Sequence, residues 1–305
     1  MLRQIAISCI LLAASAAARA QEPTAPPTVE AGASLVEVFA DQRFYEGPSW
    51  CMKEGKLYFT AFGGPSHSQI LRLQSPGKAT VWFEKSEGVN GTYLSLDGRL
   101  LGAQGNARRI VSIALGGDKA TDIKTVATSQ LWIGPNDVCQ TAKGVIYFTD
   151  PDFKKRTKSS IFRIDAGGNT LRTTAEMKLP NGIIASNDGK TLYIADSHEK
   201  LWRSYLIKDD GSLGEGKVFF DPDTPDRSDP DGMSIDEQGN LYFTGRGGVW
   251  VVSPAGKALG LIKVKEFVTN CTFGGDNGKT LYLTCDGKVY SLAMTVKGGA
   301  FMTKK

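Results

Sequence analysis

The chain is expected to fold as an all-β, six-bladed β-propeller whose last blade is closed by the N-terminal strand. Three observations lead there. One hairpin pattern occurs six times, the copies are nearly evenly spaced, and the last copy lacks an outer strand that the segment before the first copy can supply.

The copies read EGPSWCMKEGKLYFT, NGTYLSLDGRLLGAQ, PNDVCQTAKGVIYFTD, PNGIIASNDGKTLYIAD, PDGMSIDEQGNLYFTG and TNCTFGGDNGKTLYLTC. Each joins a short strand to a second strand of β-branched and aromatic residues through a Gly-containing turn, which is the hairpin signal. Second-strand positions Tyr58, Leu101, Tyr147, Tyr193, Tyr242 and Tyr282 follow one another at 43, 46, 46, 49 and 40 residues. A four-stranded propeller blade takes about 40 to 45 residues. Third strands such as ILRL, RIVSI, SIFRID and GVWVVS, and fourth strands such as TVWFEK and KVFFDP, complete the unit. SLVEVFA, at 34–40, precedes the first hairpin as TVWFEK precedes the second, so it is expected to complete the final blade and close the ring. A β-sandwich would not explain six near-even copies of one hairpin.

Ahead of the repeats, residues 1–20 carry Arg3, an apolar run, and Ala18-Arg19-Ala20, without an acidic residue. This is the layout of a cleaved secretory signal peptide, and the run is too short for the roughly 20 apolar residues of a membrane span. Export to the periplasm or outside the cell follows as the expectation. Residues 21–33, rich in Pro and Ala, read as a flexible lead-in, and residues 34–305 as the propeller. Without Arg3 and Arg19 the chain keeps 34 Lys and Arg against 32 Asp and Glu. So small a net charge points to neither nucleic acid nor a membrane as partner. A propeller with closed edges needs no partner subunit, so a monomer is expected. Cys51, Cys139, Cys271 and Cys285 show no zinc-type spacing; Cys271 and Cys285 flank one hairpin, leaving a disulfide or two buried thiols as alternatives.

Alignment on the second strands brings Glu46, Asn90, Asn136, Asn181, Asp231 and Asn270 into register, 11 or 12 residues ahead of the reference position. Any one of them alone reads as a turn residue whose side chain bonds nearby backbone. Six together, all oxygen-bearing and none cationic, read as a ring about the propeller axis. Carboxylate and amide oxygens without His or Cys suit one hard divalent cation, Ca²⁺ first, with Mg²⁺, Mn²⁺ or Zn²⁺ as alternatives. Loops between second and third strands should rim the same opening with Phe62, His67, Gln104, Arg108, Asp150, Asp152, Phe153, Asp196, His198 and Arg246, a polar cup suited to a small polyhydroxylated ligand.

EGPSW, VNGTYLSLDGRLL, GPNDVC with YFTDP, LPNGI with LYIADS, and DPDGMSID with LYFT, in this order, resemble the senescence marker protein (regucalcin)/gluconolactonase family over about residues 35–292. The resemblance implies hydrolysis of sugar lactones, with some relatives acting on organophosphate esters. It implies Glu46, Asn136, Asn181 and Asp231 as metal ligands, with Asp231 also the general base. Asn136 is alternatively a substrate contact, and Asn90, Asn270 and Gln104 line the cup. Two departures stand out. Family members carry Lys or Arg before PND where this chain has Leu131 and Trp132, expected to form a less polar wall, and an acidic residue and a His where it reads GAQGN. The expected function is a metal-dependent lactonase or esterase acting on a small-molecule lactone or ester. The alternative is a non-catalytic propeller that binds a small molecule or protein around a structural metal.

Overall fold

Alternating apolar residues and turn glycines build 22 strands in the computed structural model, which describes residues 24–63, 68–173, 177–222 and 229–299. The signal-peptide expectation and His67 fall outside those residues. In chain order the strands are β1 (Val36–Cys51), β2 (Lys56–Phe62), β3 (Ser68–Ser75) and β4 (Lys78–Phe83), then β5 (Val89–Leu94), β6 (Leu100–Gln104), β7 (Arg109–Ile113) and β8 (Ile123–Thr128). The middle of the chain forms β9 (Val138–Gln140), β10 (Ile146–Asp150), β11 (Ser160–Ile164), β12 (Thr170–Arg172), β13 (Pro180–Ala185), β14 (Thr191–Asp196), β15 (Leu201–Leu206) and β16 (Lys217–Phe220). The remainder gives β17 (Met233–Ile235), β18 (Leu241–Gly245), β19 (Gly248–Val252), β20 (Ala258–Lys263), β21 (Val268–Gly274) and β22 (Thr280–Ala293).

Each run of four from β5 to β20 is an antiparallel sheet in chain order, and the other strands form one sheet ordered β21-β22-β1-β2-β3-β4. The fold is an all-β propeller, but its hydrogen-bonded sheets number five, not the six expected from the repeats. The cause is local. Residues 36–40 of β1 pair with 288–291 of β22, while residues 44–51 pair with β2, so one continuous strand fuses the first and last repeats. Gln42, with φ of 70°, marks the bend between the two halves. The N-terminal strand therefore supplies the outer edge that the last repeat lacks.

Packing follows the repeats. Six apolar clusters each join neighbouring repeats, from Tyr58, Ile70 and Trp82 against Val89 and Val111 to Tyr45, Leu57 and Phe59 against Val289, where the chain's two ends meet. Threonines two residues beyond the second-strand Tyr tie adjacent inner strands. Thr60 Oγ1 donates to the Asn90 carbonyl at 3.0 Å, and Thr244 Oγ1 lies 2.9 Å from that of Thr269. Thr269 Oγ1 in turn donates to the Tyr45 carbonyl at 2.6 Å, across the closure.

The described part of the expected flexible lead-in, residues 24–33, is instead laid against later strands. Thr24 O accepts the Leu261 N–H at 3.0 Å, the Glu30 N–H donates to Ala293 O at 3.1 Å, and Val29 bridges Met294. Pairing gives these backbone groups partners that water would otherwise supply. Among the described residues Cys51, Cys139, Cys271 and Cys285 are buried free thiols. Cys271 faces Leu283, and Cys285 faces Val268, so the two sulfurs are not directly opposed across the hairpin. Among the described residues no helix is long and apolar enough to cross a membrane.

Candidate metal centre and substrate cup

At the inner ends of the repeats Glu46, Asn136, Asn181, Asp231 and Asn270 are all buried, while Asn90 is half-buried. Glu46 Oε2 accepts the Gly47 N–H at 2.9 Å and lies 3.4 Å from Asn270 Nδ2. Asn181 donates to Asp231, and its Nδ2 also reaches Ser197 Oγ at 3.3 Å. Ser197 Oγ donates onward to Pro230 O at 2.5 Å, so β13, β14 and the segment leading into β17 fix one another beside Asp231.

A third carboxylate lies close enough to Glu46 and Asp231 to act on both, and the register argument passed over it. Asp137 is buried, its Oδ1 accepting the Val138 N–H at 2.9 Å and its Oδ2 lying 3.4 Å from the same Asn270 Nδ2. The signal was present one position beyond the ring residue, where four repeats have Gly, one has Cys271, and only this one has an acid. Space explains the pattern. A Cβ on Gly91 would stand 2.0 Å from Asp137 Oδ1, and one on Gly232 would stand 2.0 Å from Asn270 Cγ. Gly91 and Gly232 make room for the next repeat's polar side chain, and Gly47 and Gly182 for its backbone, where a Cβ would stand 2.2 Å from Asn90 O and 2.1 Å from Asp231 O.

Burial and Asp137 push the Glu46 carboxyl up to about 8, burial pushes Asp137 up to about 7, and burial with Glu46 and Asp137 raises Asp231 well above its ordinary range. No Lys or Arg among the described residues offsets these three. Like carboxylates crowded in a low-dielectric site ionise together only if a cation joins them. The oxygen-rich donor set, mixing carboxylates with Asn amides, therefore fits a hard divalent ion. Among the described residues no three His, Cys, Asp or Glu side chains form a metal-holding group of their own. The expected ligands include only two such residues, the others being Asn.

Above Asn181 and Asp231 opens a cavity of about 370 Å³, lined by Phe153, Arg156, Leu179, Ser197, His198, Lys200, Asp229, Pro230 and Phe267 as well. Phe153 and His198 stand where the loop reading placed them. Arg246 lies beside them, pairing with Asp229 at 3.1 Å and covering the Phe267 ring.

Several expected rim residues serve the scaffold instead. Gln104 does not face the cup: it is fully buried, its Nε2 donating to Ser86 O at 2.9 Å and its Oε1 accepting from Arg109. Asp152 accepts the N–H of Lys155 and Asp196 that of Glu199, so these two carboxylates shape their own loops, whereas Asp150 accepts the N–H groups of Ile133 and Gly134 and pins the segment leading into β9. Arg108 points to the Gln130 carbonyl. Trp132 is no wall of the cup either. It is buried edge-on to Phe148, ring centroids 4.7 Å apart, while Leu131 is 91% exposed. Sequence reading missed Arg156, Lys200 and Asp229, because these loop residues meet only when the blades close.

The fold and this centre place the protein among propeller enzymes and binding proteins built around an axial oxygen site. Residues 44–286 match the SMP-30/Gluconolactonase/LRE-like region family model, and the chain belongs to that family. It is similar to the gluconolactonase of Zymomonas mobilis, 28% identical with 83% of this chain and 80% of that protein covered. The pentonolactonase XacC of Haloferax volcanii is 26% identical, with 80% and 82% covered. Among solved structures, a gluconolactonase of Xanthomonas campestris superposes with a TM-score of 0.76 at 24% identity, over 90% of this chain and 97% of that one.

Proposed function

We propose that this chain is a metal-dependent hydrolase of lactones of the sugar-lactone type. One observation carries the reading: Asp231, one of three buried carboxylates without a described cationic partner, lines a cavity of about 370 Å³ together with Asn181. The gluconolactonase and pentonolactonase relatives support the substrate class.

Glu46, Asn136, Asn181 and Asp231 would hold one divalent cation, Ca²⁺ by preference for carboxylate and amide oxygens. When bound, such an ion polarises an ester carbonyl and lowers the pKa of nearby water. Asn181 spends its amide N–H groups on Asp231 and Ser197, which leaves its carbonyl oxygen as a donor to the ion and holds Asp231 in one orientation. Asp231 takes a proton from water as the water oxygen attacks the lactone carbonyl carbon. The ring C–O bond then breaks, and the proton returns to the departing oxygen, giving a hydroxy acid. Asn90 would meet hydroxyl groups of the substrate, as would Asn136 where it is not a ligand of the ion.

We also propose that the fused sheet functions as two blades of a six-bladed ring, since six apolar clusters link the repeats. On the sequence argument the mature protein is an exported monomer, with residues 34–305 as its propeller and residues 1–20 removed.

The test is hydrolysis of aldonolactones, aliphatic lactones and aryl esters by purified protein reloaded with Ca²⁺, Mg²⁺, Mn²⁺ or Zn²⁺ after chelation. Cation-dependent turnover of a lactone, reduced at least a hundredfold in Asp231→Asn, is the expected result. A folded, cation-loaded protein inactive on every lactone would favour the non-catalytic binding propeller.

A further inference from the structure

We propose that the substrate carries an anionic group remote from the reacting carbonyl, a carboxylate, phosphate or sulfonate, bound by Arg156 with Lys200 and Arg246. The inference rests on the lactonase reading for its chemistry and names the substrate class within it. Arg156 lines the cup, and it also lines an adjoining cavity of about 470 Å³ bordered by the cations Arg172, Lys178 and Arg203 and by the carboxylates Asp196 and Glu199. Its backbone is held by an N–H donated to Asp152 O at 2.9 Å, in a loop whose Asp152 carboxylate accepts the Lys155 N–H.

The guanidinium of Arg156 makes no hydrogen bond or ion pair among the described residues, so its five donors are open to a ligand. Across the cup, Lys200 and Arg246 share a single carboxylate, Asp229. Burial, and the nearby charges of Arg246 and Arg156, hold the Lys200 pKa below its usual range, so the three cations are near enough to repel one another. An incoming anion relieves that repulsion. A planar guanidinium is suited to two-point contact with a carboxylate or phosphate. The cations stand on loops following β10, β14 and β18, and residues 131–134, LWIG, contribute none.

The experiment compares glucono-1,5-lactone, 6-phosphoglucono-1,5-lactone and glucaro-1,4-lactone as substrates of the cation-loaded protein. Calorimetry on the matching open-chain acids is run alongside, for wild type, Arg156→Ala and Arg156→Lys. Expected is at least tenfold preference for one of the doubly functional compounds over the gluconate pair, falling toward unity in Arg156→Ala and partly kept in Arg156→Lys. Which of the phosphate or carboxylate compounds wins identifies the anion. The preference should also shrink as salt rises, because rim charges are screened. Lactone turnover with no anionic preference overturns this inference and leaves the lactonase reading standing. Arg156-dependent binding of the anionic acids without turnover of any lactone upholds the anion subsite and overturns the lactonase reading.

Discussion

Asn270 Nδ2 lies 3.4 Å from Oε2 of Glu46, so a residue of the last repeat steadies a ligand candidate of the first, 224 positions away. The same nitrogen is 3.4 Å from Asp137 Oδ2. Asn270→Ala would leave two buried carboxylates without their shared donor. We expect cation affinity at least tenfold weaker by calorimetric titration, with wild-type affinity showing that Asn270 does not organise the site. Asn270→Asp should weaken the cation-free protein more than the loaded one, because it adds a fourth acid to the cluster.

Removing the cation should lower stability, because the three carboxylates then repel one another in a buried site. An ion present at about 100 times its dissociation constant adds about 2.7 kcal/mol to the folded state. Thermal unfolding before and after chelation should show a midpoint several degrees higher with Ca²⁺, and no shift with any divalent ion would remove the metal from this account.

Gly91→Ala places a Cβ 2.0 Å from Asp137 Oδ1, so either the inner strand β5 or the acid must move. Overpacking of this kind costs about 1 to 3 kcal/mol. Denaturant unfolding should register that loss, together with weaker cation binding. An unchanged midpoint would mean that Asp137 is free to swing away.

Leu131 and Trp132 are neighbours with opposite roles. Trp132→Ala empties a buried aromatic site and should cost about 3 to 5 kcal/mol. Leu131→Ala removes an exposed side chain and should change stability by less than about 0.5 kcal/mol. Equal effects in urea titrations would contradict the burial of Trp132 against Phe148.

Reading repeats worked where the physics is local. Turn glycines, strand alternation and the Tyr carried by five of the six second strands are set within one hairpin, so the propeller and the buried inner-strand positions Glu46, Asn136, Asn181, Asp231 and Asn270 could be read by aligning hairpins. The reading failed where a side chain's direction depends on its neighbour. Gln104 occupies a rim position in register yet turns inward to the Ser86 carbonyl. Trp132 follows an exposed Leu131 but fills a gap beside Phe148.

By itself, then, the sequence determined the class of fold, the axial register and the oxygen-rich chemistry of the centre, because a repeated local pattern forces equivalent residues to equivalent places. Only the tertiary structure decided that Asp137 joins Glu46 and Asp231, and that β1 fuses the first and last repeats into one sheet. It also decided that Arg156 and Lys200 line one cavity, and that Arg246 shares Asp229 with Lys200. These depend on contacts between residues tens to hundreds of positions apart, where ring closure and close packing choose which side chain has room to face the axis.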